Sequence, residues 1–315
     1  MTLILLSLLA GLVLLYFGAE GLIKGSSSLA LRMGITPLVI GLTVVAFGTS
    51  APELVVSTKA AYQGQGGIAV GNVVGSNIFN IAVILGLSAL LRPMVIRVQL
   101  IKFDTPIMLG LTIVCWLLFH DGHVGRPEGA LLVAGIIAYT AVNVLMARRE
   151  TSRSVEKEFA EGTPHKSRNA GIDLLLLAGG LSLLLLGARL FVSGATDLAR
   201  MWGLSEAVIG LTIVAAGTSL PELATSVLAA IRKEDDIAIG NIVGSNVFNI
   251  LGILGASALV NPLEAGGVTA VDFGFMLGVS LLLLPLMRSG MRLSRWEGGL
   301  FLALYAGYLW WLWPA

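Results

Sequence analysis

The sequence predicts an all-α polytopic membrane protein of about ten transmembrane helices, built as two inverted repeats of five. Three observations carry this reading. The 315 residues are 56% hydrophobic and only 12% charged, with a mean hydropathy of +0.89. Apolar stretches long enough to cross a bilayer follow one another along the whole chain, and the two halves match each other. A soluble domain of this length carries far more charge.

A hydrocarbon core of roughly 30 Å takes about 20 helical residues to cross. Stretches of that kind lie near 2–23, 36–60, 68–91, 104–120, 128–147, 171–193, 205–230, 237–260, 268–287 and 297–313. The opening MTLILLSLLAGLVLLYFG has no basic flank and exceeds a signal-peptide core, so it reads as a retained span. The one long polar stretch, Ala147 to Asn169, carries Arg148, Arg149, Arg153, Lys157, Lys166 and Arg168. It divides the chain into a first half at 1–147, a short linker at 148–170 and a second half at 171–315. With loops alternating sides, about 16 Lys and Arg fall on the linker's side and about 4 on the other, which makes the linker cytoplasmic and both termini external. Lys24, Arg32, Arg189 and Arg200 read as residues near span ends whose long stems reach the interface. Trp296, Trp310, Trp311 and Trp313 read as an interfacial belt.

A net charge of +1 gives no polyanion-seeking surface, which argues against nucleic acid. The single Cys115 rules out an internal disulfide framework and a cysteine metal cluster. His120, Asp121 and His123 read as a solvated external turn. No phosphate-binding loop or ATPase motif is present, so any transport must draw on ion gradients.

Residues 34–80 align without gaps to 203–249 at a constant offset of 169, with roughly 27 identities in 47 positions. The repeat motif extends over 34–86 and 203–255. The first copy reads GITPLVIGLTVVAFGTSAPEL and GNVVGSNIFNI, the second GLSEAVIGLTIVAAGTSLPEL and GNIVGSNVFNI. An odd number of spans separates the copies, so they cross the membrane in opposite senses, an architecture that sets a binding site near the midplane. Repeated glycines such as Gly71 and Gly75 imply close helix approach. Helix packing does not explain why the best-matched positions are polar.

Pro52 and Pro221 have no N–H to give the carbonyls of Gly48 and Gly217, so each helix bends or breaks there. Within a bilayer such backbone survives only when buried in protein or lining a cavity. Helical spacing sets Glu53 four residues from Thr49 and three from Ser50, and Glu222 likewise from Thr218 and Ser219, on one face. Asn72, Ser76 and Asn80 recur every four residues in the partner span, as do Asn241, Ser245 and Asn249. Hard oxygen donors in this number suit Ca2+, which takes six to eight, and also Na+; they do not suit zinc or copper. An ionised residue at the bilayer centre costs several kcal/mol and needs a partner, and no Lys or Arg is placed to pair with Glu53 or Glu222. A cation supplies the missing charge, and two glutamates balance one Ca2+. For Asn72, Asn77, Asn241 and Asn246, interhelical hydrogen bonding weighs at least as heavily as ligation.

The paired GTSxPE and GNxxGSNxFNI blocks in inverted halves resemble the cation/calcium exchanger superfamily, specifically its compact prokaryotic sodium/calcium exchangers. The resemblance implies that Glu53 and Glu222 bridge a Ca2+ site with Thr49 and Thr218. It implies flanking Na+ sites lined by Ser50, Ser76 and the Ala46 carbonyl on one side, and by Ser219, Ser245 and the Ala215 carbonyl on the other, with Asn80 and Asn249 bordering the middle. It further implies that the first and sixth spans slide across this centre. Several relatives carry Asp at the position of Asn249; Asn there leaves two central carboxylates and implies independence of K+.

The expectation is therefore a Na+/Ca2+ antiporter in a prokaryotic cell (inner) membrane. It would be an electrogenic monomer in the lipid bilayer with no resident cofactor. The alternative is a cation/proton antiporter using the same two glutamates. An intramembrane enzyme is the distant rival, and no histidine accompanies the serines to support it.

Overall fold

The computed structural model describes residues 1–150, 169–203, 213 and 215–312. Among these residues the chain is helical apart from short turns and two-residue strands. In chain order the helices are α1 (Thr2–Met33), α2 (Pro37–Thr49), α3 (Ala51–Tyr62), α4 (Gly66–Leu91), α5 (Leu100–Leu118) and α6 (Arg126–Glu150). After the linker come α7 (Ala170–Met201), α8 (Ala215–Thr218), α9 (Leu220–Ile231), α10 (Asp235–Val260), α11 (Ala270–Arg288) and α12 (Arg295–Leu312). Seven of the described helices are individually long and apolar enough to cross a membrane, and the bent pair α2–α3 raises this to eight. Residues 205–212 and 214 of the expected seventh span, 205–230, lie outside the described residues, as does most of the linker.

Two helices form the centre. The apolar windows of α10 and α4 are 94% and 72% buried, against 22% for α1 and α7. Their near-continuous apolar sequences suit burial on all sides. Each widens into a π turn midway, at Asn80–Leu85 and Asn249–Leu254, right after the asparagine-rich segment. Such bulges leave the regular hydrogen-bond ladder and concentrate at functional positions.

α1 and α7 run to 32 residues each, longer than the spans expected at 2–23 and 171–193. Glycines every seven residues let them pack closely. A Cβ on Gly18 would stand 2.7 Å from the Leu184 amide nitrogen and 2.8 Å from the Gly180 carbonyl oxygen, and one on Gly187 2.8 Å from the Leu15 nitrogen. Only hydrogen fits there, which is how small residues bring membrane helices together. At Gly71 a Cβ would meet only Val268 Cγ2, at 3.7 Å, and at Gly75 nothing within 4 Å among the described residues; the close approach falls in the second copy, where Gly240 and Gly244 abut the Leu38 and Leu42 backbone. Residues 207 and 211, which relate to Gly71 and Gly75 in the same way, lie outside the described residues.

Short antiparallel ribbons link loops of opposite halves: β1 (Met94–Val95) with β4 (Arg292–Leu293), and β2 (His123–Val124) with β3 (Leu263–Glu264). At the start of β2, the His123 N–H donates to Asp121 at 3.2 Å and holds that exposed carboxylate below its ordinary range. The halves also share an internal clasp. Tyr139 donates to Asp104 at 3.0 Å, and Tyr308, 169 residues on, donates to Asp272 at 2.5 Å.

Candidate functional site

The repeated prolines break the chain where the sequence predicts. Ser50 and Ser219 leave helical geometry, with ψ of 9° and 10°, and Pro52 and Pro221 enter the first turns of α3 and α9, where a missing N–H costs nothing. The α2–α3 pair bends by 48°. Glu53 and Glu222 therefore sit in the first turn of a helix, where the unsatisfied N–H groups favour negative charge. Both side chains are 1% exposed, and among the described residues neither forms an ion pair.

The glutamates take their nearest hydroxyls from the opposite repeat. Ser50 donates to Glu222 Oε1 at 2.7 Å, and Ser219 donates to Glu53 Oε1 at 2.9 Å. The Thr49 hydroxyl lies beside Glu222 and that of Thr218 beside Glu53. Helical spacing within one repeat had suggested the reverse. It assumes an unbroken helix, and the break at Ser50 and Ser219 turns each hydroxyl pair across the two-fold relation.

The same crossing regroups the serines. Ser50 lies 3.0 Å from Ser245, which in turn lies 3.5 Å from the Ala46 carbonyl, while Ser219 lies 3.4 Å from Ser76. The resemblance had grouped Ser50 with Ser76 and Ser219 with Ser245. Inverted repeats interdigitate, so Ser76 and Ser245 exchange places. Ala215 opens α8, in the position that Ala46 holds in α2.

The outer asparagines brace helices. Asn72 donates to Ser57 at 2.9 Å and to the Glu53 carbonyl, and Asn241 donates to Ser226 at 2.9 Å while accepting from Thr49 at 3.1 Å. The inner ones form a crossed pair of bonds: Asn80 donates to Asn246 Oδ1, and Asn249 donates to Asn77 Oδ1, each at 2.9 Å. On the two glutamates and these inner asparagines, Glu53 Oε2, Glu222 Oε2, Asn80 Oδ1 and Asn249 Oδ1 are buried with no hydrogen-bond partner among the described residues. An unsatisfied oxygen in a dry interior costs several kcal/mol, and a carboxylate more. Two of these oxygens come from each repeat.

Arg189 departs from its expected place at a span end. It lies well inside α7 and lines a cleft of about 720 Å3 with Pro52, Val56, Val192, Gly217 and Thr218. The cleft makes the repeats unequal: α1 packs along α9, whereas α7 stands off α3. At the other end of the site, Arg232 after α9 pairs with Glu20 of α1 at 3.0 Å.

The family model for sodium/calcium exchanger proteins matches residues 3–145 and 172–313. The chain is 39% identical over 307 residues to the putative antiporter CaxA of Alkalimonas amylolytica, with 95% of each covered. It is 37% identical to the inner membrane protein YrbG of Escherichia coli, over 97% of this chain and 94% of that one. A solved structure of the sodium-calcium exchanger NCX_Mj, soaked with Na+ and Sr2+, superposes with a TM-score of 0.85 at 36% identity and covers 98% of both chains. From its fold, its paired motifs and these matches, the chain is a multi-pass membrane protein that belongs to the sodium/calcium exchanger protein family.

Proposed function

We propose that this protein is a secondary antiporter that exports Ca2+ in exchange for entering Na+ by alternating access, the two ions competing for one oxygen-lined site. The observation that carries the reading is the set of four partnerless buried oxygens on Glu53, Glu222, Asn80 and Asn249. Glu53, Glu222, Thr49 and Thr218 hold Ca2+. Na+ occupies flanking positions, one formed by Ser50, Ser245 and the Ala46 carbonyl, the other by Ser219, Ser76 and the Ala215 carbonyl, with the glutamates shared. Hydroxyls, carbonyls and carboxylates are hard ligands that either ion accepts, so loading with one displaces the other.

Each cycle moves net charge if three Na+ replace one Ca2+, and transport then responds to membrane potential. With Asn at position 249 the centre has two carboxylates, and K+ is not required. Ten spans with a cytoplasmic linker fit the ribbons: β1 and β4 then fall on the linker's side, β2 and β3 on the other. The ion pairs Arg32–Asp173, Arg92–Asp235 and Arg97–Asp236 gather on the linker's side too. In that topology the cleft beside α7 opens outward. Residues 1–147 and 171–315 act as the two half-sites of one transporter in a prokaryotic cell membrane.

Equilibrium binding of 45Ca2+ to the purified protein, with Na+ added as competitor, tests the reading. Displacement by Na+ and loss of binding in Glu53→Gln are expected. Binding that Na+ leaves untouched and a proton concentration change displaces would favour the proton-coupled alternative.

A further inference from the structure

Resting on the reading that a cation lies between Glu53 and Glu222, we propose that Asn77 and Asn246 are positioning residues. They fix the amides of Asn249 and Asn80 so that oxygen, and not NH2, faces that cation. Neither asparagine is needed as a ligand for this role.

The constraint starts from a group that cannot be reversed. A backbone carbonyl only accepts, and the Asn246 carbonyl accepts from Asn77 Nδ2 at 3.3 Å. That contact commits Asn77 Nδ2, so the other end of the amide, Oδ1, is the acceptor that meets Asn249 Nδ2 at 2.9 Å. Asn249 then has its nitrogen committed, and Oδ1 is left buried with no partner. The mirror chain runs from the Asn77 carbonyl, which accepts from Asn246 Nδ2 at 3.4 Å, through Asn246 Oδ1 and Asn80 Nδ2, and ends on Asn80 Oδ1, equally buried and partnerless. Met108 Sδ, 3.6 Å from Asn246 Nδ2, is a second acceptor that keeps this amide in the same sense.

Each free oxygen is thus oriented by one amide of the opposite repeat, itself anchored on a main-chain carbonyl of the oxygen's own repeat. All four side chains are 1% exposed, so water does not replace a missing link. Asn80 and Asn249 each stand one helical turn past a serine, Ser76 or Ser245, that contacts a hydroxyl bonded to a glutamate. The two asparagines thus continue the helix faces whose serines are linked, through one hydroxyl each, to Glu53 and Glu222. An amide turned around would put two N–H hydrogens against the cation in place of a lone pair. With Asn77 removed, Asn249 loses the bond that forbids this.

A crossed set of variants separates orientation from mere packing. A carboxylate has two equivalent oxygens, needs no orienting and gains nothing from the acceptor that Asn77 or Asn246 presents, so loss of Asn77 should no longer weaken binding in Asn249→Asp, nor loss of Asn246 in Asn80→Asp. The apparent affinities for Ca2+ and for competing Na+ are measured on purified full-length protein. Asn77→Ala is expected to weaken one or both by about tenfold in the wild-type and Asn80→Asp backgrounds, and by less than about twofold in Asn249→Asp. Asn246→Ala is expected to show the opposite pattern, and carries the test if Asn77→Ala does not fold. An equal loss in every background, or no loss in any, overturns the proposal. Unchanged Ca2+ binding in Glu53→Gln would instead overturn the ion-site reading on which it rests.

Discussion

Replacing Glu222 by Gln separates the charge of the site from its shape. The amide is nearly isosteric with the carboxylate, and its oxygen can still accept from Ser50, which stands 2.7 Å from Glu222 Oε1 in the native site. What is lost is one of the two buried negative charges that the proposed reading sets against a divalent ion. Removing one partner from a buried, charge-compensated arrangement costs about 3–5 kcal/mol, which corresponds to a roughly 150- to 5,000-fold weaker Ca2+ dissociation constant. Folding should not suffer: a neutral amide is easier to bury than a carboxylate at 1% exposure, so the melting temperature of the ion-free protein should hold or rise. Calorimetric titration of Ca2+ into the purified variant gives the affinity, and 45Ca2+ uptake by proteoliposomes gives the flux. An affinity within tenfold of wild type, or near-normal flux, would refute the idea that Glu222 charge holds the ion.

Three further outcomes follow from other parts of the molecule. Gly18→Leu forces a side chain into the 2.7 Å gap against the Leu184 backbone, so the α1–α7 pair must separate; a destabilisation of about 1–3 kcal/mol is expected, read as a lower melting temperature with reduced transport. Glu20→Gln removes the ionic part of the tie between α1 and the end of α9 and leaves the Arg232–Tyr16 hydrogen bond; with Arg232 46% exposed the ion pair contributes no more than about 0.2–1 kcal/mol, so at most about a fivefold shift toward the state in which the cleft beside α7 is closed. Thiol labelling of Ser193→Cys in that cleft should slow accordingly, against a background silenced by the burial of Cys115, and unchanged labelling would show the pair does not bias the states. Uptake of Ca2+ should not change when K+ replaces choline on either side, and a K+ requirement would contradict the role given to Asn249.

The fold class was legible because a bilayer imposes a length and a composition that survive any detail of packing. The helix breaks at Pro52 and Pro221 were equally legible, since proline acts on its own helix. What lay beyond reach was contact across the two-fold relation. Spacing along one helix placed Glu53 with Thr49 and Ser50, whereas the folded chain gives it Ser219 and Thr218. The roles of Asn77 and Asn246 were hidden for the same reason, because each acts on a residue about 170 positions away. The one available signal was that both recur at the same offset as the serines beside them. Arg189 read as a snorkelling end residue because the sequence understates the length of α7, whose 32 residues set it well within the helix.

The central claim is that entering Na+ drives Ca2+ across the membrane through this site. 45Ca2+ uptake into proteoliposomes, driven in separate experiments by an outward Na+ gradient and by a pH gradient of the same magnitude, tests it most directly. Uptake under the Na+ gradient, abolished in Glu53→Gln and absent under the pH gradient, is the predicted result. Uptake driven by the pH gradient alone would contradict it and transfer the exchange to protons on the same two glutamates.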